Sequence, residues 1–418
     1  ELQLPGDPRA LALRLDPVRA RATHAYVGGA DGSLAVVELK NPVLPRLLSQ
    51  SKELSDPRRM LAQGDRLYVA DGSAGLCIFD LGQPSRPKLI GQMPSAEARS
   101  LALCWPWLYL ADGPGGLLIV DVADAEHPRA LASVDCNGTP APDDVTDVCC
   151  LFQYSRTEAL DELGDRIGRS RARNLCFCAC GLDGVRIVDV TEPALPQLLH
   201  GQVHEQVFKG NRVDVRGVAV NTQFDLGSQG GGIKSQERDY LFVQTVSGPD
   251  QNRQQHIRAY DVSDPLDPHP TRGDPRTYDG NGRLLLFRAY NEPFLQQFVV
   301  AAGAGGLGTV VDASRMATGL QPLLTWDALP SVSDLVFEEF AFDRLQDERG
   351  RWEKDISHDG CRYLSCAEIL KVLRAKVPVQ REAEGRYGRL RDAPKPAAKA
   401  KPPARDRKQD ADKKDGDK

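Results

Sequence analysis

The chain has 418 residues, of which 41% are hydrophobic, with 38 Gly, 29 Pro and a formal net charge of −5. That length exceeds one ordinary compact domain unless the fold is built from repeats. The longest apolar runs are strand-sized, which excludes a membrane-spanning helix, and the mild negative charge gives no reason to expect nucleic acid or an anionic membrane as partner.

The chain opens on Glu1, with no charged-then-apolar leader before the first patterned segment. It is therefore expected to be a processed protein or an excised piece, with any targeting signal outside it. An apolar run then recurs six times, at Leu34–Leu39, Leu76–Leu81, Leu117–Val122, Val185–Val190, Ile257–Val262 and Leu307–Ala313. Each run carries an acid near its end: Glu38, Asp80, Asp121, Asp189, Asp261 and Asp312. The first three copies are 42 and 41 residues apart, and insertions lengthen the later gaps. A period of about 40–45 residues with four strands per unit is the signature of a β-propeller.

The third unit shows the pattern best. Arg99–Cys104, Trp107–Ala111, Leu117–Val122 and Arg129–Val134 read as its four strands, with Asp112-Gly113-Pro114-Gly115-Gly116 as the hairpin turn between the second and third. Proline pairs follow several third strands (Pro42/Pro45, Pro84/Pro87, Pro193/Pro196, Pro265/Pro268) and mark the turn into an outer edge strand, because proline cannot donate to a ladder. The acid just before them can accept from nearby backbone N–H groups and fix that turn. Its recurrence in every unit favours this structural role over a catalytic one.

Gly116-Leu117-Leu118-Ile119-Val120-Asp121-Val122, after Tyr-Leu-Ala-Asp-Gly, and Gly184-Val185-Arg186-Ile187-Val188-Asp189-Val190, before Pro193, resemble the LVIVD repeat family. The resemblance spans about Arg9 to Ala328. It departs from the pattern at Glu38, in the long fifth hairpin and at Thr309. The resemblance implies a β-propeller, mostly of bacterial and archaeal surface or exported proteins, with no shared catalytic residues to carry over. An extracytoplasmic location is expected on that ground alone.

Three insertions interrupt the regular spacing. Tyr154–Asn174 lies in unit four, with Thr157–Leu163 helical in pattern; Asn221–Asp239 in unit five is Gly- and Ser-rich and expected to be mobile; Ser247–Gln255 extends the hairpin of unit five. Ser331–Phe342 reads as the first strand of a candidate seventh unit, and Ser365-Cys366-Ala367-Glu368 as a capping box before the helix Ile369–Leu373. The expected fold is all-β. A propeller of four-stranded blades covers residues 1–342, six recognisable and a candidate seventh. A helical or irregular segment follows over 343–391, and a Lys/Asp/Pro/Ala tail over 392–418 is expected to be disordered.

The most suggestive chemistry sits where the first strands begin. Arg9, Arg59, Arg99, Arg216 and Arg283 align in one register, with Asp147 and Asp334 in the same place in unit four and the candidate seventh unit. First strands line the channel of a propeller, so these residues should ring one mouth, on the same face as the Asp31-Gly32, Asp71-Gly72 and Asp112-Gly113 turns. Converging guanidiniums repel unless acids or an anion pair them. The ring is thus either an anionic-ligand or partner-docking site, or a set of ion pairs with loop acids such as Asp56 and Asp214 that lock neighbouring blades.

Cys176, Cys178 and Cys180 alternate along one strand, and Cys149 and Cys150 lie on its neighbour. Core packing accounts for them, with a disulfide or a thiol metal site as alternatives. Cys361 and Cys366 are close enough to form a local disulfide. The seven histidines are scattered, and the Asp-Gly turns supply one carboxylate each, too few for a calcium loop. No cofactor, no metal and no catalytic residue is expected. The reading is a non-enzymatic binding or scaffolding propeller whose partner, a protein or an anionic small molecule, docks at the mouth. The alternative is an enzyme or anion-binding protein with its site in the channel.

Overall fold

The computed structural model describes residues 4, 6–16, 21–41, 44–136, 144–154, 173–199, 214–226, 235–247, 254–266, 268–271, 276–278, 284–291, 294–302, 308–312 and 321–326. These residues are all-β and form six antiparallel sheets, each built from consecutive strands. Blade one comprises β1 (Pro8–Asp16), β2 (Arg21–Gly29), β3 (Ser33–Glu38) and β4 (Arg46–Lys52). Blade two comprises β5 (Arg59–Gln63), β6 (Arg66–Ala70), β7 (Leu76–Asp80) and β8 (Lys88–Met93). Blade three follows with β9 (Ser100–Cys104), β10 (Trp107–Ala111), β11 (Leu117–Asp121) and β12 (Arg129–Val134). Blade four has β13 (Asp147–Tyr154), β14 (Arg173–Ala179), β15 (Val185–Asp189) and the two-residue β16 (Gln197–Leu198).

In blade five, β17 (Asp214–Leu226) and β18 (Ser235–Ser247) are long, and β19 (Gln254–Asp261) is edged by two short pieces, β20 (His269–Pro270) and β21 (Arg276–Tyr278). Blade six holds β22 (Leu284–Asn291), β23 (Phe294–Ala302), β24 (Gly308–Asp312) and β25 (Gln321–Trp326). The first strands β1, β5, β9, β13, β17 and β22 lie side by side in that order, which is the inner wall of a propeller.

Each blade is a meander, and its burial follows from its place between neighbours. Second and third strands are covered on both faces: β3 and β7 are almost wholly buried, and so is β6 after Arg66. They therefore read as continuous apolar runs and not as alternation. Outer strands β4, β8 and β12 are exposed or half-buried at every residue except Gly91 and Val134, as befits sheet edges. Between blades one and two pack Tyr26, Leu34, Met60, Leu67 and Phe79, and between blades two and three Tyr68, Ile78, Leu108 and Leu110. Fully burying one such side chain stabilises the fold by about 1.5–3 kcal/mol. Polar ties cross the same seam: the Tyr26 hydroxyl donates to the Pro84 carbonyl at 3.1 Å, and Ser49 Oγ to the Ser85 carbonyl at 2.5 Å.

The repeated acid holds its turn as the sequence predicts. Asp80, Asp121, Asp189 and Asp261 each accept from the backbone N–H two residues on, at 3.3, 2.9, 3.0 and 3.0 Å. Blade five departs from expectation. Within Asn221–Asp239, expected as a mobile loop, residues 221–226 and 235–239 continue the hairpin, with pairing out to Leu226↔Ser235. The flanks carry no glycine and pair as a ladder that satisfies their backbone groups, while the glycines at 227 and 230–232 lie outside the described residues. The helix expected at Thr157–Leu163, the candidate seventh unit at Ser331–Phe342, Arg283, Asp334, Cys361, Cys366 and everything after Trp326 lie outside the described residues.

Candidate functional site: a charged belt at the channel mouth

In blades one to five the first strand begins with a bulge, and the bulge decides which residue faces which. In blades two to four, the N–H groups of Arg58, Arg99 and Thr146 donate at 2.8 Å to the carbonyls of Ala70, Ala111 and Ala179. Those same alanines pair in the ladder with the following residues, Arg59, Ser100 and Asp147. In blades one and five the extra residue is Arg9, before the Ala10↔Gly28 pair, and Arg216, before Gly217↔Gln244. One register therefore holds Arg9, Arg58, Arg99, Thr146 and Arg216. Arg59 and Asp147 stand one residue further along, in the register of Ala10, Ser100 and Gly217. Bulges re-aim side chains at sheet rims, and this one sets a cation at the lead-in of four described blades.

Two residues before each bulge stands an acid: Asp7, Asp56, Glu97, Asp144 and Asp214. Four of these five acids bind the guanidiniums. Arg58 donates through Nε to Asp56 at 2.6 Å, Arg99 through Nη2 to Glu97 at 2.8 Å, and Arg216 through Nε to Asp214 at 2.7 Å, each within its own blade. Bonds also bridge blades one and two, three and four, and four and five. Arg9 Nη1 reaches Asp56 at 2.6 Å and Arg99 Nη1 reaches Asp144 at 2.5 Å, each crossing to the following blade. Arg216 reaches back to Asp144 at 3.6 Å. Arg9, Arg99 and Arg216 are thus paired with acids, and the pairs alternate in sign along the mouth.

The acids are themselves held from behind. Asp71 and Asp112, first residues of the hairpin turns, are 1% and 5% exposed. Asp71 accepts from the N–H of Ser55 and, at 2.7 Å, of Asp56; Asp112 accepts from Ala96 at 3.0 Å and Glu97 at 2.8 Å. Burial pushes the Asp71 carboxyl above its ordinary value, and the two backbone donors oppose that shift. Asp31 does not share the arrangement. Gly28 pairs with Leu34 as Ala70 pairs with Leu76, so Asp31-Gly32 lies two positions further round its turn than Asp71-Gly72. There Asp31 accepts from the N–H of Ser33 at 3.1 Å.

Blade four breaks the belt. Thr146 replaces the arginine, and its hydroxyl lies 3.2–3.4 Å from the carbonyls of Ala179, Val215 and Arg216. Asp147 ties three first strands together. It accepts from Ser100 Oγ at 2.5 Å in blade three, from its neighbour Val148 N–H at 3.0 Å, and from Val218 N–H at 3.2 Å in blade five. Both residues do scaffold work at a position where the other blades carry a cation or a small side chain.

Cys176, Cys178 and Cys180 share one buried face, as their alternation predicts, and Cys150 packs against it while Cys149 packs on the opposite side. Among the described residues no group of three or more His, Cys, Asp or Glu is disposed to hold a metal ion, and no helix is long and apolar enough to cross a membrane. Sequence reasoning named Asp56 and Asp214 as pairing acids and missed Arg58, Asp7, Glu97 and Asp144. The signal was present as Asp7-Pro8-Arg9, Asp56-Pro57-Arg58, Glu97-Ala98-Arg99 and Asp214-Val215-Arg216.

Residues 57–94 and 96–136 match the LVIVD repeat, and these two spans coincide with blades two and three. No curated protein matches the chain. Among solved structures, the periplasmic gluconolactonase of Pseudomonas aeruginosa aligns with a TM-score of 0.51 at 13% identity, covering 80% of this chain and 88% of that one. U3-55K gives a TM-score of 0.48 at 12% identity over 80% and 86%. The computationally designed protein Ika8 gives 0.42 at 12% identity over 80% and 93%. At such identities the gluconolactonase likeness speaks to the fold, which is that of a β-propeller.

Proposed function

We propose that this chain, an all-β propeller carrying LVIVD repeats, is a non-enzymatic binding or scaffolding protein that docks a partner protein across its channel mouth. The alternation of charge in the belt carries this reading. Among the described residues of this register, four arginines (Arg9, Arg58, Arg99, Arg216) stand among five acids (Asp7, Asp56, Glu97, Asp144, Asp214), so the described belt carries no excess of positive charge to concentrate a free anion. A protein surface with its own alternating charges can match such a rim, and complementary rims set orientation and association rate. Arg9, Arg58 and Arg216 keep 42–44% of their side chains in solvent while already oriented by acids, so docking costs little further ordering. The LVIVD match supports an extracytoplasmic, bacterial setting for the same reading.

Photo-crosslinking amino acids placed at Arg9 and at Arg216 test it, with one at Lys88 on the outer strand β8 as control. In cells the two mouth positions should yield the same protein adduct, and Arg58→Glu should abolish it. Adducts of equal yield from Lys88, or none from the mouth, overturn the proposal. Millimolar binding of citrate or a sugar phosphate, lost in Arg99→Ala, would favour the anion-binding alternative.

A further inference from the structure

Six of the eight described cysteines line a single seam between blades three and four. Cys136, Cys176, Cys178 and Cys180 are fully buried there, and Cys104 and Cys150 are partly exposed. The seam has two groups. Near the mouth, Cys136, Cys178 and Cys180 pack together, with the Cys136 thiol donating to the Val134 carbonyl at 3.7 Å, the Cys180 thiol to the Cys178 carbonyl at 3.6 Å, and the Arg186 guanidinium to the Cys136 carbonyl at 2.8 Å. Further along the same strands, Cys150 and Cys176 are directly opposed in the β13–β14 ladder, with their sulfurs 2.8 Å apart.

We propose that Cys150 and Cys176 are a redox site, a cross-strand dithiol that closes reversibly to a disulfide. Closure asks for little movement, since opposed residues of a ladder carry Cβ atoms about 4.5–5.5 Å apart and a disulfide holds them at about 3.5–4.5 Å. The partly exposed Cys150 is the thiol an oxidant meets first, whereas Cys176 is sealed from solvent and can be reached only through its neighbour. The oxidant is a low-molecular-weight disulfide of the glutathione class. The Cys150 sulfur, its proton released, attacks that disulfide, forms a mixed disulfide and expels one thiol. The Cys176 sulfur, its proton released in turn, then displaces the second thiol and completes the Cys150–Cys176 bond. Two protons and two electrons leave the protein, and the oxidant departs as two thiols. The bond ties the first strand of blade four to its second, in the blade whose belt arginine is replaced by Thr146.

The test is peptide mapping of the wild-type chain equilibrated in glutathione buffers of increasing oxidised fraction, quenched with acid and alkylated. Tryptic fragments 130–156 and 174–186 carry the seam cysteines other than Cys104. They should become linked reversibly, with electron-transfer fragmentation placing the link at Cys150 and Cys176. Cys149→Ser should leave the link intact, and Cys176→Ala should convert it to a glutathione adduct on Cys150. Three results overturn the proposal: both thiols alkylating fully at every ratio, a link from Cys136 to Cys178 or Cys180 instead, or a glutathione adduct on wild-type Cys150 that never resolves.

Discussion

The carboxylate of Asp71 accepts the backbone N–H of Asp56 at 2.7 Å, and Asp56 in turn holds guanidiniums from two blades, Arg9 and Arg58. A buried turn acid thus positions a half-buried loop acid, which bridges neighbouring sheets. Asp112 does the same for Glu97, whose partner Arg99 extends to Asp144 of the next blade. In blades two and three the surface pairs therefore have a buried carboxylate behind them.

Removing that support should cost more than removing an acid of the outer turns. Asp112→Ala strands the N–H groups of Ala96 and Glu97 at a part-buried site, and an expected loss of about 1–2 kcal/mol follows from leaving two such groups unpaired. Asp121→Ala, which frees the half-buried N–H of neither strand but only that of Ala123 in an exposed turn, should cost about 1 kcal/mol or less. Urea unfolding of the two variants measures the difference.

The belt pairs are partly solvated and should couple weakly. A double-mutant cycle on Arg99 and Asp144, replacing them by Met and Asn, should give an interaction of about 1 kcal/mol or less. The value should shrink in high salt, because exposed charges are screened. A salt-independent coupling would mean that the pair is sheltered from solvent.

Gly91 and Gly64 separate two reasons for glycine. A Cβ on Gly91 would lie 2.0 Å from the Ala125 carbonyl oxygen, where outer strand β8 presses on the turn of blade three. Gly91→Ala should therefore cost ~3 kcal/mol through overpacking between blades. Gly64 has φ of +58° and open space around it, so Gly64→Ala should cost only about 1 kcal/mol of backbone strain. Thermal unfolding ranks them.

Burial lowers the pKa of His24, aided by the Arg14 guanidinium, and lowers that of His256, aided by Arg258. As pH falls through the ordinary value of 6.5, the unfolded chain takes up protons that the folded chain resists. The stability these residues give is therefore complete above pH 6.5 and is lost as pH drops towards the depressed folded values. The urea midpoint of the wild type should fall more between pH 7.5 and 5.5 than that of the His24→Gln, His256→Gln double variant.

Much of this fold could be read from spacing alone. The 42- and 41-residue intervals, the hairpin turns and the acid that closes each apolar run are local, and local signals survive folding unchanged. The register of the mouth did not survive inspection by eye. Aligning Arg59 with Arg99 looks natural in the sequence, but the bulges of blades two and three put Arg58 in the register position of Arg99 and move Arg59 one step on. A bulge inserts one residue without changing composition or alternation nearby, so the pattern carries little warning of it. The cysteine seam had the reverse history. Alternation placed Cys176, Cys178 and Cys180 on one face, whereas the arrival of Cys136 and Cys104 from blade three depends on how two blades pack.

Thr146 gives the ring something its repeats would otherwise lack. A wheel of similar blades presents nearly the same outline after each step of rotation, so a broad partner could settle in several equivalent orientations. With Arg9, Arg58, Arg99 and Arg216 along the rim and a neutral hydroxyl at blade four, the described rim has an index mark. Among the five described lead-ins only one rotational setting then matches a charge pattern that carries the corresponding gap, and an approximate symmetry acquires an address.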